Sequence, residues 1–102
     1  MWGKKNIISP WTESFLQSVE AQTEIGETMR LDYYLTQNDR GMYGISIKKF
    51  IKQGPEYIFT EEKTDSLVTY LKDEIDEICN KIIRNTVTPC TLNDVIKDME
   101  IF

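Results

Sequence analysis

The residues that could perform covalent chemistry are two cysteines, Cys79 and Cys90. A thiolate is a nucleophile and a metal ligand, and Cys90 directly precedes a predicted helix start, whose positive end stabilises negative charge. The chain has no histidine to act as a general base or as the commonest metal ligand. Two cysteines alone cannot complete the four-ligand shell of zinc. The sequence therefore predicts packing and loop roles for the thiols, and a thiol-dependent enzyme using Cys90 is the weakest of three hypotheses.

Carboxylates cluster at residues 73–77, where every position except Ile75 is acidic. General acid–base pairs need two different environments that separate their pKa values, and the side chains of one exposed helix face share the same solvent. The interpretation is a solvated helix face with a Glu77–Lys81 ion pair. The turn formers at 38–41 lack the spaced oxygens and the distal glutamate of a calcium loop. The sequence thus predicts a protein that is not an enzyme and that uses no cofactor and no metal.

The composition indicates a chain that folds around one core. Apolar residues make up 40% of its 102 residues and charged residues 28%, which is ordinary globular usage. The formal net charge of -5 disfavours non-specific binding to nucleic acid. No apolar run is long enough for a signal peptide or a membrane span. We therefore expect a soluble, cytoplasmic protein with reduced thiols.

The N-terminal part of the chain, residues 1–27, is predicted to be a helical segment followed by a linker. A helix over residues 10–21 is indicated because Pro10 suits the first helical position. It is also indicated by three apolar residues at the i, i+4, i+8 spacing, which are Trp11, Phe15 and Val19. Gly26 and its polar neighbours mark the linker.

Residues 28–102 are predicted to form a single α+β domain that begins with an antiparallel sheet. Apolar and polar residues alternate over residues 29–35 and again over 43–47, which is the period of a strand with one buried face. The turn formers between these two runs predict a hairpin. A third strand is predicted over residues 57–60.

The pattern then becomes helical and predicts a long helix over residues 65–84 that covers the sheet. Asn85 suits the left-handed residue that ends a helix, and Pro89 holds the preceding residue extended. Thr91, three residues before Asp94, resembles a capping box that starts a short C-terminal helix. The predicted fold class is α+β, with about three antiparallel strands against one long helix, a short C-terminal helix and an N-terminal helical segment.

Strand alternation assigns a candidate binding surface. If Leu31, Tyr57 and Phe59 face the long helix, the residues between them lie on the opposite face. The candidate partner-binding residues are Tyr34, Lys48, Phe50 and Ile58, together with the N-terminal aromatic residues Trp11 and Phe15. Either the N-terminal helix folds back over this face, or a protein partner or a second copy of the chain covers it. The favoured function is a small non-enzymatic interaction or regulatory module.

The alternative function is nucleic-acid binding through a basic β-hairpin. Its candidate residues are Arg40, Lys48, Lys49 and Lys52. The chain carries no aromatic-glycine signature of RNA-binding sheets, and its overall charge has the wrong sign. We therefore rank this hypothesis second.

The sequence of the C-terminal third resembles that of a known family. The stretch from Arg84 to Val95 reads RN-x-VTP-x-x-L-x-DV, and shorter matches lie at Tyr33–Leu35 and Tyr43–Ile45. Together these motifs resemble a family of short uncharacterised domains of clostridia-like Gram-positive bacteria, over residues 29–98. The resemblance implies a cytoplasmic Gram-positive setting and no assigned biochemistry, so it implies no functional residues.

Overall fold

The computed structural model describes residues 11–99, which form four β-strands followed by two α-helices. The strands are β1 (Trp11–Gln22), β2 (Thr28–Asn38), β3 (Tyr43–Gln53) and β4 (Glu56–Thr69). The helices are α1 (Lys72–Arg84) and α2 (Leu92–Met99), and a 3-10 helix (Pro89–Thr91) lies directly before α2. Within residues 11–99 the protein is therefore mostly sheet.

The four strands form one antiparallel sheet in sequence order, β1-β2-β3-β4. Tight turns join neighbouring strands. Between β2 and β3, Asn38 Oδ1 accepts hydrogen bonds from the N–H groups of Arg40 and Met42, both at 2.9 Å. Gly41 adopts a φ of +86° there, a value that favours glycine. The predicted hairpin between the two alternating runs is thus confirmed.

The core lies between one face of the sheet and the two helices, and we call this side of the sheet the helix face. Leu31 and Tyr33 of β2 and Ile45 and Ile47 of β3 are fully buried on it. The helices contribute buried residues in turn, namely Ile75, Ile78, Cys79 and Ile82 of α1 and Leu92 and Ile96 of α2. The Tyr33 hydroxyl donates a hydrogen bond of 2.9 Å to the Val87 carbonyl oxygen. This bond ties β2 to the segment that joins the helices.

The predicted N-terminal helix is wrong, because residues 11–22 form β1 and pair with β2. A spacing of four residues keeps side chains on one side of a strand as well as of a helix, so the pattern did not separate the two. A β-bulge at Leu16 then shifts the register, which places Phe15 opposite Tyr34 and Val19 opposite Leu31. Phe15 and Val19 therefore point to opposite faces. This segment extends the sheet and does not fold over it.

The predicted long helix is wrong in its extent. Residues 65–69 complete β4, in which Thr69 pairs with Tyr43, and α1 begins at Lys72. Leu71 is 62% exposed, so the apolar stripe of α1 begins later, at Ile75. Valine, threonine and tyrosine in this stretch favour a strand, and pairing with β3 outweighs the helical spacing of the leucines. The predicted fold class, three strands under one long helix with an N-terminal helical segment, is corrected to four strands with two short helices.

The segment between the helices stops one helix and starts the next, as predicted, but one residue later than expected. Asn85 has a φ of -92°, and the left-handed residue is Thr86, with a φ of +53°. Thr88 is extended before Pro89, as the proline requires. The Thr91 hydroxyl donates to the Thr88 carbonyl oxygen at 3.3 Å and forms no hydrogen bond with Asp94, so the predicted capping box is wrong.

Candidate functional site

The sheet face that points away from α1 and α2 carries most of the predicted binding residues, and we call it the open face. Its side chains alternate with those of the helix face, and the strand registers identify them. They are Glu13, Phe15, Ser18 and Glu20 of β1; Arg30, Asp32, Tyr34 and Thr36 of β2; Ser46, Lys48, Phe50 and Lys52 of β3; and Tyr57, Phe59, Glu62 and Thr64 of β4. Thr36 and Ser46, at one end of this face, are fully buried, and the exposed remainder of the open face is a mixed surface of aromatic and charged side chains.

Aromatic side chains on the open face meet in two pairs across neighbouring strands. The rings of Phe15 and Tyr34 meet edge to face, with centroids 5.5 Å apart. The rings of Phe50 and Phe59 do the same at 5.8 Å. Such pairs stabilise a sheet beyond simple burial. Phe15 nevertheless remains 57% exposed and Phe59 52% exposed, so each pair presents one phenylalanine to its surroundings.

Cations lie over three rings of the open face, namely Phe50 and Tyr34 of these pairs and Tyr57. The Arg30 guanidinium lies 4.3 Å from the ring centroid of Phe50 and 5.0 Å from that of Tyr57. The Lys48 ammonium lies 4.7 Å from the Tyr34 centroid. These distances are within the range of cation–π attraction. One face of each of the Phe50, Tyr57 and Tyr34 rings is thus already in contact with a cation of the protein itself.

Carboxylates hold both cations in place. Arg30 donates from Nε and Nη2 to the two carboxylate oxygens of Asp32, at 3.0 and 3.2 Å. The Ser18 hydroxyl donates to Asp32 Oδ1 at 2.6 Å, and Lys48 Nζ lies 3.6 Å from Glu13 Oε1. These contacts connect β1, β2 and β3. Their side chains have little rotational freedom left to lose when a ligand binds.

A tyrosine of β4 closes the same network. The Tyr57 hydroxyl donates a hydrogen bond to the Glu20 carboxylate of β1. This hydrogen bond raises the pKa of Tyr57 above its ordinary value, because ionisation would break it and set two negative charges side by side. The contact reaches across the full width of the four-stranded sheet. Hydrogen bonds, ion pairs and ring contacts therefore link side chains of the open face from one edge strand to the other.

The structure brings four of the six candidate partner-binding residues together. Tyr34, Lys48, Phe50 and Phe15 lie on the open face. Ile58 does not, because it pairs with Ile51 on the helix face. The side chain of Trp11 lies outside the described part of the structure.

A bulge in β4 explains the misplacement of Ile58. Lys49 pairs with Glu61 but Phe50 pairs with Phe59, which leaves Thr60 as an extra residue. This extra residue reverses the alternation for the start of β4. Phe59 and Tyr57, which the alternation in the sequence assigned to the helix face, therefore lie on the open face. Residue 60 is a threonine, and neither a glycine nor a proline stands there to indicate the bulge.

The basic residues proposed for nucleic-acid binding do not share one surface. Lys48 and Lys52 lie on the open face, whereas Lys49 lies on the helix face, where its ammonium is 3.8 Å from Glu61 Oε1. Arg40 lies in the turn between β2 and β3. Strand alternation separates neighbouring lysines in this way. Carboxylates also partly neutralise two of these three lysines, since Lys48 pairs with Glu13 and Lys49 with Glu61.

The two cysteines differ in exposure. Cys79 lies on the buried side of α1, whereas Cys90 is exposed, with its sulfur 3.4 Å from the Thr88 hydroxyl oxygen. Burial raises the pKa of the Cys79 thiol to about 12, so this thiol stays protonated at neutral pH. In the acidic cluster, Lys72 Nζ contacts both carboxylate oxygens of Asp76, at 2.8 and 2.9 Å. No group of three potential metal ligands occurs among residues 11–99.

The buried thiol predicts that stability falls in alkali. In the unfolded chain Cys79 loses its proton as the pH rises past its ordinary value of 9.0, whereas in the folded protein it keeps the proton up to about 12. The unfolded state then binds fewer protons, so the free energy of unfolding decreases, by about 1 kcal/mol between pH 9 and pH 10 and by at most about 1.4 kcal/mol per pH unit above that. Urea denaturation at pH 9 and pH 10 measures the slope. Cys79→Ala should lower stability at both pH values but flatten the slope, and an unchanged slope would contradict this assignment.

Neither helix of the described region has the length and apolar character needed to cross a bilayer. Neither the curated proteins nor the solved structures include one that is similar to this chain. The sequence model of one family matches residues 12–100. That match spans nearly the whole sheet and both helices, and the family has no assigned biochemistry, as the sequence resemblance implied. This chain therefore belongs to the family of unknown function DUF6514.

Proposed function

We propose that this protein is a small non-enzymatic interaction or regulatory module that binds a protein through its open face. One observation carries the proposal: Phe15 and Phe59 are 57% and 52% exposed on a face where Arg30, Lys48 and Tyr57 are held by ion pairs, ring contacts and hydrogen bonds. Exposed aromatic side chains at fixed positions are typical of binding surfaces, where they supply most of the binding energy. An ordered surface also binds at a smaller entropy cost.

The occupancy of the rings favours a protein partner over nucleic acid. Single-stranded nucleic acids bind to sheets by stacking bases on free aromatic faces beside free cations. Here Arg30 and Lys48 lie against the ring faces and are paired with carboxylates. A protein surface that offers apolar side chains between groups of both charge signs matches this face better.

Separate observations support the proposed setting and the proposed class of protein. The RN-x-VTP-x-x-L-x-DV motif supports a role in the cytoplasm of clostridia-like Gram-positive bacteria. The absence of histidine, together with a protonated Cys79 thiol, supports a protein that performs no catalysis. An enzyme based on Cys90 would require a base beside that sulfur, and the described neighbour is the hydroxyl of Thr88.

The central prediction is that the double variant Tyr34→Ser/Phe50→Ser loses its partner. Removing two aromatic rings from the middle of the open face should weaken binding at least tenfold, because central aromatic residues typically contribute about 2 kcal/mol each. The tagged protein is used to capture proteins from a nuclease-treated lysate, and mass spectrometry measures the amount of each captured protein. The lysate also contains an untagged copy of the chain, so that self-association is detected as well. Circular dichroism melting should show that the variant still folds.

A matched control removes exposed apolar side chains elsewhere. Ile58 and Leu71 are 40% and 62% exposed and lie outside the open face, so Ile58→Ser/Leu71→Ser should capture the same proteins as the wild type. Equal capture by both double variants would refute the proposal. If nuclease treatment abolishes the capture, and substitution of Lys48 and Lys52 does so too, the proposal is refuted and the protein binds nucleic acid instead.

A further inference from the structure

One segment of β4 leaves the regular pairing of the sheet. The pairs on either side of it are Ile45–Asp65 and Tyr43–Thr69, so three residues of β4 lie opposite a single residue of β3. A regular antiparallel ladder places one residue opposite one. This part of β4 therefore includes residues that have no partner of their own on β3. We call residues 65–68 the β4 strap.

The β4 strap lies across one end of the open face. Its backbone lies against Gly44, since a Cβ atom on Gly44 would be only 2.6 Å from the Ser66 Cα atom. Thr36, which pairs with Gly44, and Ser46, the next open-face residue of β3, are fully buried. We call Thr36, Gly44 and Ser46 the covered row. The strap thus hides a row of the sheet that adjoins Tyr34.

The strap covers a polar group that it leaves unpaired. The side-chain oxygen of Thr36 is buried and has no hydrogen-bond partner among residues 11–99. Burial of a hydroxyl without a partner destabilises the closed arrangement, because water would satisfy that hydroxyl. The neighbouring Ser46 hydroxyl, in contrast, lies 2.8 Å from the hydroxyl oxygen of Thr64. Opening of the strap would therefore relieve a penalty at Thr36.

Open space lies beside the strap on the side of α2. A cleft of about 560 Å³ is lined by residues 63–66 of β4 and by Asn93, Ile96 and Lys97 of α2. Protein interiors are otherwise close-packed, so that a buried segment can move only by displacing its neighbours. The cleft gives the strap room to move while α2 stays in place.

We infer that the β4 strap is a conformational device that opens and closes while the rest of the sheet stays folded. Its ends are held by the pairing of Thr64 with Ser46 and of Thr69 with Tyr43, so only the residues between them move. We expect the opened state in about 0.1–1% of molecules, a usual population for a minor conformation. Opening adds the covered row to the open face beside Tyr34. The movement goes beyond the proposed function and does not depend on it.

The experiment is alkylation of the folded variant Thr36→Cys with iodoacetamide, followed by peptide mass spectrometry. The chain supplies two internal controls, because Cys90 is exposed and Cys79 lies in the core. The thiol at position 36 should react about 100 to 1,000 times more slowly than Cys90, in proportion to the opened fraction. It should react at least about ten times faster than Cys79, which requires a larger unfolding. Low concentrations of urea should accelerate Cys79 but hardly affect position 36, since a local opening exposes little surface.

A second pair of variants tests what favours the opening. Ser46→Cys reports the same movement from another residue of the covered row, and it also serves if Thr36→Cys does not fold. Adding Thr36→Val to Ser46→Cys keeps the shape of the side chain at position 36 and removes the unpaired hydroxyl. The closed strap then buries no unpaired group, so the reaction at position 46 should slow about tenfold.

Three results would overturn the inference. A thiol at position 36 that reacts as slowly as Cys79, with the same dependence on urea, would show that only unfolding uncovers the row. Reaction as fast as that of Cys90 would show that the strap does not cover the row. An unchanged rate at position 46 after Thr36→Val would show that the buried hydroxyl does not favour opening. The capture experiment with Tyr34→Ser/Phe50→Ser tests the proposed function separately, so either idea can fail alone.

Discussion

Replacing Gly44 with alanine should reduce the free energy of unfolding by at least about 3 kcal/mol. A Cβ atom at this position would lie 2.6 Å from the Ser66 Cα atom and 2.8 Å from the Thr36 hydroxyl oxygen, and closer still to the Asp65 carbonyl oxygen. Two of these three neighbours are backbone atoms of β4, which cannot rotate away as a side chain can. The added methyl group must therefore push β4 off β3. Urea denaturation followed by circular dichroism measures the loss.

Gly54→Ala is the matched control for this prediction. Gly54 has a φ of +62°, and a Cβ atom there would meet nothing within 4 Å. The substitution should cost about 1 to 2 kcal/mol, from the left-handed backbone alone. If Gly44→Ala proves no more damaging than Gly54→Ala, the close approach of β4 to Gly44 is incorrect.

Replacing Tyr33 with alanine should destabilise the protein by about 4 kcal/mol, because it removes a large aromatic ring from the core. Tyr33 is fully buried at the centre of the helix face, and its hydroxyl donates to the Val87 carbonyl oxygen at 2.9 Å. Tyr33→Phe keeps the ring and removes only the donor, so it should cost about 1 to 2 kcal/mol by leaving a buried carbonyl unpaired. Urea denaturation of the two variants separates the packing of the ring from the hydrogen bond.

Burial also raises the pKa of Tyr33 above its ordinary value of 10.0. Its folded form therefore holds its proton more tightly than its unfolded form, and stability from this group falls as the pH rises past 10. Tyr33→Phe should remove that part of the alkaline loss. Tyr57→Phe is the control, since its hydroxyl bonds to Glu20 on the exposed surface, and we expect little change in stability. Equal losses for Tyr33→Phe and Tyr57→Phe would contradict the buried hydrogen bond.

The regular parts of the fold could be predicted because their patterns leave one interpretation. In β2 and β3 apolar residues recur at every second position over residues 29–35 and 43–47, and the turn at Asn38 carries its own hydrogen-bonding side chain, so the central hairpin was predicted correctly. Pro89 has one allowed backbone angle, which is why the extended Thr88 before it could also be predicted. Local chemistry determines these elements without help from the rest of the chain.

The wrong predictions of secondary structure arise where one spacing of apolar residues fits both a helix and a strand. Trp11 and Phe15 are four residues apart, an even number that suits a strand and also approximates one turn of helix. The leucines that precede α1 continue its spacing backwards into β4. In both places the partner strand decides the structure, through hydrogen bonds to β2 or β3 that no local pattern encodes.

The candidate site was predicted in part for a related reason. Tyr34, Lys48 and Phe50 lie on the regular hairpin, so counting by two assigned them to the correct face. Phe59 and Ile58 lie beyond the bulge at Thr60, where counting by two gives the opposite answer. A bulge depends on how one strand fits against its neighbour, and neither the size nor the charge of threonine indicates one.

The bulges at Leu16 and Thr60 also bear on how this family can change by insertion and deletion. Each bulge holds one residue that has no partner of its own on the neighbouring strand, so removing that residue leaves the pairs on either side of it, and the faces they occupy, unchanged. Loss of Thr60 would keep Phe59 opposite Phe50 and Glu61 opposite Lys49, whereas loss of a paired residue would exchange the two faces over part of its strand. Single-residue gaps between family members should therefore be placed at these bulges, and their alignment should be judged by strand parity as well as by residue identity.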